Sequence, residues 1–572
     1  MKNWRTNFVL IVFIILGAVI MTRLFFIQVV EGDRWKALAQ GQQKFFSQVE
    51  GNRGEILLED SSLQGGYLSL ATNKEWEFVY ISPKEILDYP ERIEEITEIL
   101  SNTLDINKDI IVEKIQKTDS DFELIKRKLN QEEIEVFRTI GLPGVHVATE
   151  DVRYYPREKF SSQLVGFMGG EGTGQYGVEG YYDDILKGKE GFQISERSVK
   201  GFLRMLQTTF EEGYDVVLTM DYNIQSVAEQ LLQEYKSRLE FSSAQIIVGN
   251  PNTGEIIAMA EFPNFDLNEY AQESSAAIFQ NSAIQKIFEP GSVFKPITMS
   301  MALDMQKVTP QTKYVDTGLL KIGGYTIQNF AQKTWGERTM IEVLEKSINT
   351  GAVFAENQIG HQNFLKYVEK FGFFDKTGID LQGEISSLNP NLKNGHEINF
   401  ATASFGQGIE ITPIQLFRGM SVIANGGKLI RPYVVSKIIQ DGRVKEIIPE
   451  VLNQSVISQQ AANQLATMMV NVVEKGYGKE AKIPGYYIAG KTGTAQVPWS
   501  AIGINKAGYS DQTVQSFIGF APAYHPRFLI LVKLDNPKAQ TAEYSAAPIF
   551  HDLAKYIVDL WQIPPDYDVN TK

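Results

Sequence analysis

The stretch that constrains this chain most is Glu289-Pro290-Gly291-Ser292-Val293-Phe294-Lys295-Pro296. Ser292 is the only serine in the chain with a lysine three residues on. On a helix such a pair shares one face, one turn apart. An amine then reaches a hydroxyl, which is the minimum for an activated serine nucleophile. Pro296 limits where that helix starts, because proline is tolerated only in the first turn, where its missing N–H is not needed. The helix must therefore begin beside Ser292, after the Pro-Gly turn. Residues 297–305 are apolar nearly all round, which predicts a buried helix. The reading is a serine at the mouth of a buried helix, at its positive end. Taken alone, the same tetrapeptide on a surface helix is the commoner case, so the rest of the chain must decide.

At 572 residues the chain is long enough for two or three domains. A net charge of −14 argues against nucleic acid as a partner. With no cysteine, disulfides, thiol catalysis and Cys-based zinc sites are excluded. The five histidines form no His-Glu-x-x-His pattern, which argues against a zinc hydrolase.

Lys2 and Arg5 precede a long apolar run, interrupted near its end by Arg23. A helix over residues 8–30 would span roughly 35 Å at 1.5 Å per residue, enough for a bilayer core of about 30 Å. Arg23 lies in the outer third, from where its guanidinium can reach the headgroups. A single-pass anchor over 7–30 is expected, with the basic N-terminus cytoplasmic and everything beyond residue 30 outside. The competing reading is a signal peptide cleaved near Ala37-Leu38-Ala39, crowded by Glu31, Asp33, Arg34 and Lys36.

Residues 31–60 read as a charged stalk. Residues 91–104 and 109–115 carry apolar side chains at helical spacing. Gly172-x-Gly174-x-x-Gly177 has the form of a dinucleotide fingerprint, but no apolar strand runs into it, and it reads as a turn-rich loop. Residues 216–221 predict a strand, followed by an amphipathic helix from 223 to about 239. Residues 246–249 and 256–259, joined by Asn250-Pro251-Asn252-Thr253-Gly254-Glu255, predict a hairpin. Strands are expected over 486–497, 517–521 and 528–534, and a closing helix over 549–561. This order predicts an α+β domain whose antiparallel sheet is built from both ends of the segment.

Two further motifs follow the first. Ser347-Ile348-Asn349 lies 55 residues after Ser292, and Lys491-Thr492-Gly493-Thr494 lies 199 residues after it. Each has a decoy, in Ser387-Leu388-Asn389 and Lys376-Thr377-Gly378. Lys376 sits among charged residues and glycines, a poor strand. Lys491 is flanked by Tyr487-Ile488-Ala489-Gly490 and Ala495-Gln496-Val497, a good strand on which Gly493 lets a ligand lie against the backbone.

Ser-x-x-Lys, Ser-x-Asn and Lys-Thr-Gly in this order resemble the penicillin-recognising serine enzymes. Phe371-Gly372, Thr377-Gly378-Ile379-Asp380-Leu381, Phe405-Gly406-Gln407-Gly408 and Thr412-Pro413 resemble family landmarks between the second and third motifs. With the apolar N-terminus, Arg53-Gly54-Glu55-Ile56 and Gly177-Val178-Glu179, the chain is similar to a class B penicillin-binding protein as far as about residue 556. The aspartate-rich continuation usual after the Arg-Gly motif is replaced here by Leu57-Leu58-Glu59-Asp60.

The resemblance implies a transmembrane anchor over 7–30, an elongated, mostly-β pedestal of dimerisation type over 31–235, and a transpeptidase domain over 236–565. That last domain would have a serine β-lactamase-like fold, an antiparallel sheet flanked by helices. It implies acyl transfer on D-Ala-D-Ala stem peptides of peptidoglycan with no metal or cofactor, acylation by β-lactams, and partners that include a membrane glycan polymerase and other wall-synthesis proteins. Residue by residue, it implies Ser292 as nucleophile, Lys295 as its base and Ser347 as relay to the leaving D-Ala. Asn349, Lys491, Thr492, Gly493 and Thr494 would bind substrate, with the Ser292 and Thr494 amides forming the oxyanion hole. An ordinary lysine is neutral about one time in several thousand at neutral pH, so Lys295 must be lowered by about 3 units to act as a base. The helix terminus and Lys491 are the expected causes.

The alternatives are a β-lactamase, a β-lactam sensor, or a scaffold of a wall-synthesis complex. The glutamate of a class A β-lactamase has only an imperfect echo in Glu450-Val451-Leu452-Asn453. No Glu-Asp-x-x-Phe segment of a glycosyltransferase is present.

Overall fold

The computed structural model describes residues 4–25, 44–60, 66–197, 203–208 and 211–569. The chain forms two compact units, one of residues 1–54 with 187–214, the other of 55–186 with 215–572. The boundary at 235/236 expected from sequence falls inside the second unit.

In the first unit a helix covers Trp4–Phe25. Strand Glu190–Arg197 pairs antiparallel with Lys44–Glu50 on one side and Leu203–Thr208 on the other. Among the described residues no helix is long and apolar enough to cross a membrane. The last part of the anchor expected over 7–30, residues 26–30, lies outside the described residues, as does most of the stalk and the candidate cleavage site at 37–39.

The second unit holds a five-stranded sheet, whose strands are numbered β1–β5 in chain order: Ser243–Gly249, Ile256–Phe262, Ala489–Pro498, Tyr509–Ala521 and Phe528–Asp535. Their spatial order is β2-β1-β5-β4-β3, antiparallel throughout. This is the sheet expected from both ends of the segment. β4 begins at Tyr509 rather than at 517, because its polar first half pairs with β3 as a long hairpin that alternation of apolar residues does not mark. One face of the sheet is covered by the helices Tyr222–Leu239 and Ala546–Leu560, with Leu232, Phe241, Phe517, Phe528, Phe550 and Leu553 in the shared core. A larger core includes Phe294, Ile297, Met301, Leu344, Phe371, Met420 and Met469, under the helices between β2 and β3.

A second sheet joins remote segments. Strand Asp215–Leu218 runs parallel to Ile56–Asp60 and antiparallel to Val435–Gln440. Ile56–Asp60 continues antiparallel into the long strand Gly66–Ile81, which pairs with Val145–Tyr154. Leu57 and Leu58, where acidic residues were expected, are therefore buried strand residues. The helices Ile93–Leu104, Lys108–Ile115 and Gln131–Ile140 pack against that end on their own small core, so the expected "mostly-β" description holds only for part of 31–235. Gly172, Gly174 and Gly177 lie in and after a two-residue-strand hairpin, as a structural loop.

Within this unit Arg153 Nε donates to Glu179 Oε1 at 2.7 Å, with both side chains almost wholly buried. The Tyr155 hydroxyl donates to the same oxygen at 3.2 Å. A buried carboxylate is tolerable when it is paired and hydrogen-bonded in this way.

Candidate active site

The turn at Ser292 forms as Pro296 requires. Gly291–Phe294 is a 3-10 turn, and the α-helix proper runs Lys295–Asp304 with Pro296 in its first turn. Residues 295–303 are all buried, so the helix has no solvent face. Gly291 has φ +62°, and a Cβ there would lie 2.9 Å from Ala495 Cβ on β3. Only glycine serves at that position.

The loop Phe405-Gly406-Gln407-Gly408 braces the same turn. Gly291 N donates to Gly406 O at 2.9 Å. Gly408 N donates to Glu289 Oε1 at 3.0 Å, and the Tyr509 hydroxyl donates to Glu289 Oε2 at 3.0 Å. Glu289, only a flanking residue in the sequence, thus ties the Ser292 turn to that loop and to β4.

The three motifs converge. Lys295 Nζ donates to Ser347 O at 2.6 Å and to Asn349 Oδ1 at 2.8 Å, and lies 3.1 Å from Ser347 Oγ. Lys491 Nζ lies 3.0 Å from the same Ser347 Oγ and donates to Thr492 O at 3.0 Å. The Ser347 hydroxyl is therefore held between two amines. The Ser292 hydroxyl, one helical turn from Lys295, makes no hydrogen bond among the described residues. Ser347 sits between the helices Met340–Glu345 and Asn349–Ile359 with φ +52°, a left-handed conformation that a non-glycine residue adopts at a cost.

Lys295 is 1% and Lys491 0% exposed, so both amines are cut off from water. Burial pushes the Lys295 amine well below the ordinary lysine range, and the neighbouring Lys491 pushes it further. Burial lowers Lys491 itself to about 7. Desolvation is thus the first cause and Lys491 the second, in place of the Lys491 and helix terminus expected from the sequence. A sequence shows a neighbouring charge by its motif but not the loss of solvent around it.

Gly493 lies where a Cβ would meet Val293 Cγ1 at 2.9 Å and Ser516 Oγ at 2.7 Å, so β3 is packed hard against the Ser292 turn. Thr494 Oγ1 accepts from Ala542 N at 3.1 Å, and Thr492 is buried beside Lys491. Asn349 Nδ2 donates to Gln328 O at 2.8 Å. That places Asn349 between Lys295 and the segment 313–339.

The segment 313–339 is itself fixed by Asp316, which the sequence reading did not single out. Its carboxylate accepts from Thr350 Oγ1 at 2.7 Å, Trp335 N at 2.7 Å, Gly318 N at 2.9 Å and Asn329 Nδ2 at 3.0 Å. Thr350 follows Asn349 directly, so this cluster orients the second motif. Its only sequence signal is the Asp-Thr-Gly turn at 316–318, which is common.

Neither decoy belongs to the site. Thr377 caps a turn through Glu384 at 2.5 and 2.6 Å, and Ser387 bonds Glu410 at 3.2 Å. Glu450 is half-exposed and pairs with Arg431 at 3.0 Å. Among the described residues no group of histidine, aspartate and glutamate side chains could hold a metal ion.

Residues 244–555 match the penicillin-binding protein transpeptidase domain, and residues 48–218 match the penicillin-binding protein dimerisation domain. Stage V sporulation protein D of Bacillus subtilis is 31% identical over 96% of this chain and 85% of its own length. Peptidoglycan D,D-transpeptidase FtsI of Escherichia coli K12 is 27% identical over 99% of this chain and 93% of its own. The crystal structure of penicillin-binding protein 3 from Mycobacterium tuberculosis, complexed with aztreonam, superposes with TM-score 0.69 at 25% identity, covering 91% of this chain and 99% of that one. The transpeptidase match alone spans more than half of the 572 residues, and the chain belongs to the class B penicillin-binding protein family.

Proposed function

We propose that this chain is a serine-type D-Ala-D-Ala transpeptidase that cross-links peptidoglycan stem peptides and is acylated by penicillin. The observation that carries the reading is the Ser347 hydroxyl set between Lys295 Nζ and Lys491 Nζ at 3.1 and 3.0 Å, with Lys295 itself one helical turn from Ser292.

Ser292 Oγ attacks the carbonyl of the penultimate D-Ala, and Lys295 takes the hydroxyl proton. Its depressed pKa leaves it neutral often enough to do so. The amides of Ser292 and Thr494 receive the charge that develops on the carbonyl oxygen, each worth a few kcal/mol. Ser347, in contact with both amines, passes the proton to the leaving D-Ala. Asn349 bonds the substrate amide. Thr492, Thr494 and Lys491 receive the terminal carboxylate, whose charge favours a protonated Lys491. Gly493 lets the strand pack against the Ser292 turn, since the space its Cβ would take is filled by Val293, Pro290 and Ser516 rather than open to the ligand expected from the sequence. The acyl group then passes from Ser292 to an amine on a neighbouring peptide, and the serine recovers its proton.

Residues 236–565 carry this chemistry, and 31–235 serve as a pedestal and docking module for a membrane glycan polymerase and other wall-synthesis proteins. Residues 7–30 form a single-pass anchor that leaves the catalytic region outside the cell membrane. What supports the anchor is the helix Trp4–Phe25, on which Phe13, Ile14, Val19 and Met21 are all more than 60% exposed. So much apolar surface is unfavourable in water and favourable in lipid.

Incubation with fluorescent penicillin followed by peptide mass mapping tests the assignment. One acyl group per chain on Ser292 is expected, with slow release and no sustained hydrolysis of nitrocefin. Ser292→Ala should abolish labelling while the melting curve stays native. Labelling that survives this change, or continuous nitrocefin turnover, overturns the reading.

A further inference from the structure

The five-stranded sheet carries a row of polar residues on the face turned toward the Ser292 turn. In register across the strands the row runs Glu261 on β2, Gln245 on β1, Lys533 on β5, Ser516 on β4 and Gly493 on β3. Residues paired directly across neighbouring strands project to the same face. Gln245, Lys533 and Ser516 are at most 5% exposed. Burying so many polar groups in a core is unfavourable unless they are engaged.

Most contacts of Glu261, Gln245 and Lys533 go to one piece of chain, the approach to Ser292, while Ser516 Oγ makes no hydrogen bond among the described residues. Both carboxylate oxygens of Glu261 accept from Ser282 N at 3.1 Å, and Gln245 Nε2 donates to Ser282 Oγ at 3.0 Å. Ser282 opens the short helix Ser282–Gln285, ten residues before Ser292. Lys533 Nζ lies 5.3 Å from the centre of the Phe288 ring, within cation–π reach, and is held by Asp535 Oδ1 at 2.5 Å. Phe288 is itself pinned by two backbone bonds to Ile411, at 2.9 and 3.1 Å. At the far end of the row, the Gly493 position faces Pro290 O and Val293. The row thus touches the approach at 282, at 288 and at 290–293.

We propose that Glu261, Gln245 and Lys533 are positioning residues for the nucleophile: they set the height of the 282–291 segment above the sheet and so the place of Ser292 relative to Lys295 and β3. The inference rests on Ser292 being the nucleophile. Burial pushes the Glu261 carboxyl up to about 7, against the pull of Ser282, Lys286 and Lys533. In either protonation state it keeps an acceptor oxygen for Ser282 N, so a glutamine can stand in for it. Misplacing a nucleophile by a fraction of an ångström slows bond formation without weakening the encounter complex.

The experiment is stopped-flow acylation of the full-length protein by a chromogenic β-lactam. It separates the non-covalent Kd from the acylation rate constant, and the final stoichiometry counts competent sites. Glu261→Ala and Lys533→Met should each lower the rate constant about tenfold or more, with Kd and stoichiometry near wild type. Glu261→Gln should restore the rate to within about threefold. A merely structural role predicts the opposite: fewer competent sites, each reacting at the normal rate. That result, or a change confined to Kd, overturns the proposal. If Glu261→Ala does not fold, Lys533→Met decides by the same criteria, and Gln245→Leu does so if neither folds. Loss of the Ser292 assignment would show separately, as labelling that survives Ser292→Ala.

Discussion

Lys295 Nζ donates to the backbone carbonyl of Ser347 at 2.6 Å. A second acceptor, Asn349 Oδ1, stands 2.8 Å away. A neutral amine has two hydrogens and one lone pair. Two acceptors take the two hydrogens and leave the lone pair for a hydroxyl. The second motif therefore orients the Lys295 amine, which under the proposed mechanism is the base.

Lys295→Ala should lower acylation by about 10²–10⁴-fold, the usual share of a positioned general base. Asn349→Asp is the finer test. A carboxylate beside Lys295 favours its charged form and should raise its pKa by about 1–3 units. Acylation needs the neutral amine, so the acid limb of the pH–rate profile should move upward and the rate at neutral pH should fall. A profile measured from pH 5 to 10 checks the direction.

Ser347 offers a separation of strain from chemistry. Its left-handed φ of +52° is strained for alanine and free for glycine. Ser347→Ala and Ser347→Gly both remove the hydroxyl, and both should lower acylation by about 10²-fold or more. The glycine variant should be the more stable of the two by about 1 kcal/mol. Paired urea denaturation curves measure the difference.

Lys491 links the site to stability. Its amine falls from an ordinary 10.5 to about 7 on folding. Below pH 7 both states hold the proton and the burial penalty is full. Above 10.5 neither holds it and the penalty is gone. Between these values the unfolded chain binds more protons, so stability rises with pH. One such group contributes up to about 1.4 kcal/mol per pH unit. Lys491→Met should flatten the rise by that amount and lose acylation as well. Melts at pH 7, 8, 9 and 10 provide the slope.

The buried Arg153–Glu179 pair predicts a stability defect far from the chemistry. Glu179→Ala removes the carboxylate that Arg153 Nε bonds, in a site where both side chains are at most 2% exposed. Breaking such a pair costs about 3–5 kcal/mol. Calorimetry should show the loss, and the acylation rate of the molecules that remain folded should be near wild type.

Much of the site could be read in the sequence because its residues obey local rules. Pro296 fixed the start of the helix, and the strand flanking Lys491 distinguished it from Lys376. The hairpin at 243–262 followed from its turn residues. What could not be read depends on distant parts of the chain. Nothing near residue 216 shows that it pairs with Ile56 and Ile438. Nothing near Lys295 shows that burial outweighs the neighbouring charge. Asp316 and Glu289 look like ordinary surface acids until the fold surrounds them with donors.

The parallel pairing of Ile56–Asp60 with Asp215–Leu218 also sets an order of events in biosynthesis. Glu55 and its bonding partner Asp215 are 160 residues apart. At roughly 5–20 residues per second, the later strand leaves the ribosome about 10–30 s after the earlier one. Val435–Gln440, on the far side, arrives later still. Through that interval the edge of Ile56–Asp60 that faces away from Gly66–Ile81 has no partner strand and is open to pairing with other chains. A newborn chain that escapes aggregation must therefore be shielded there until residue 218 is made, and a slowly translated messenger should tax that shielding most.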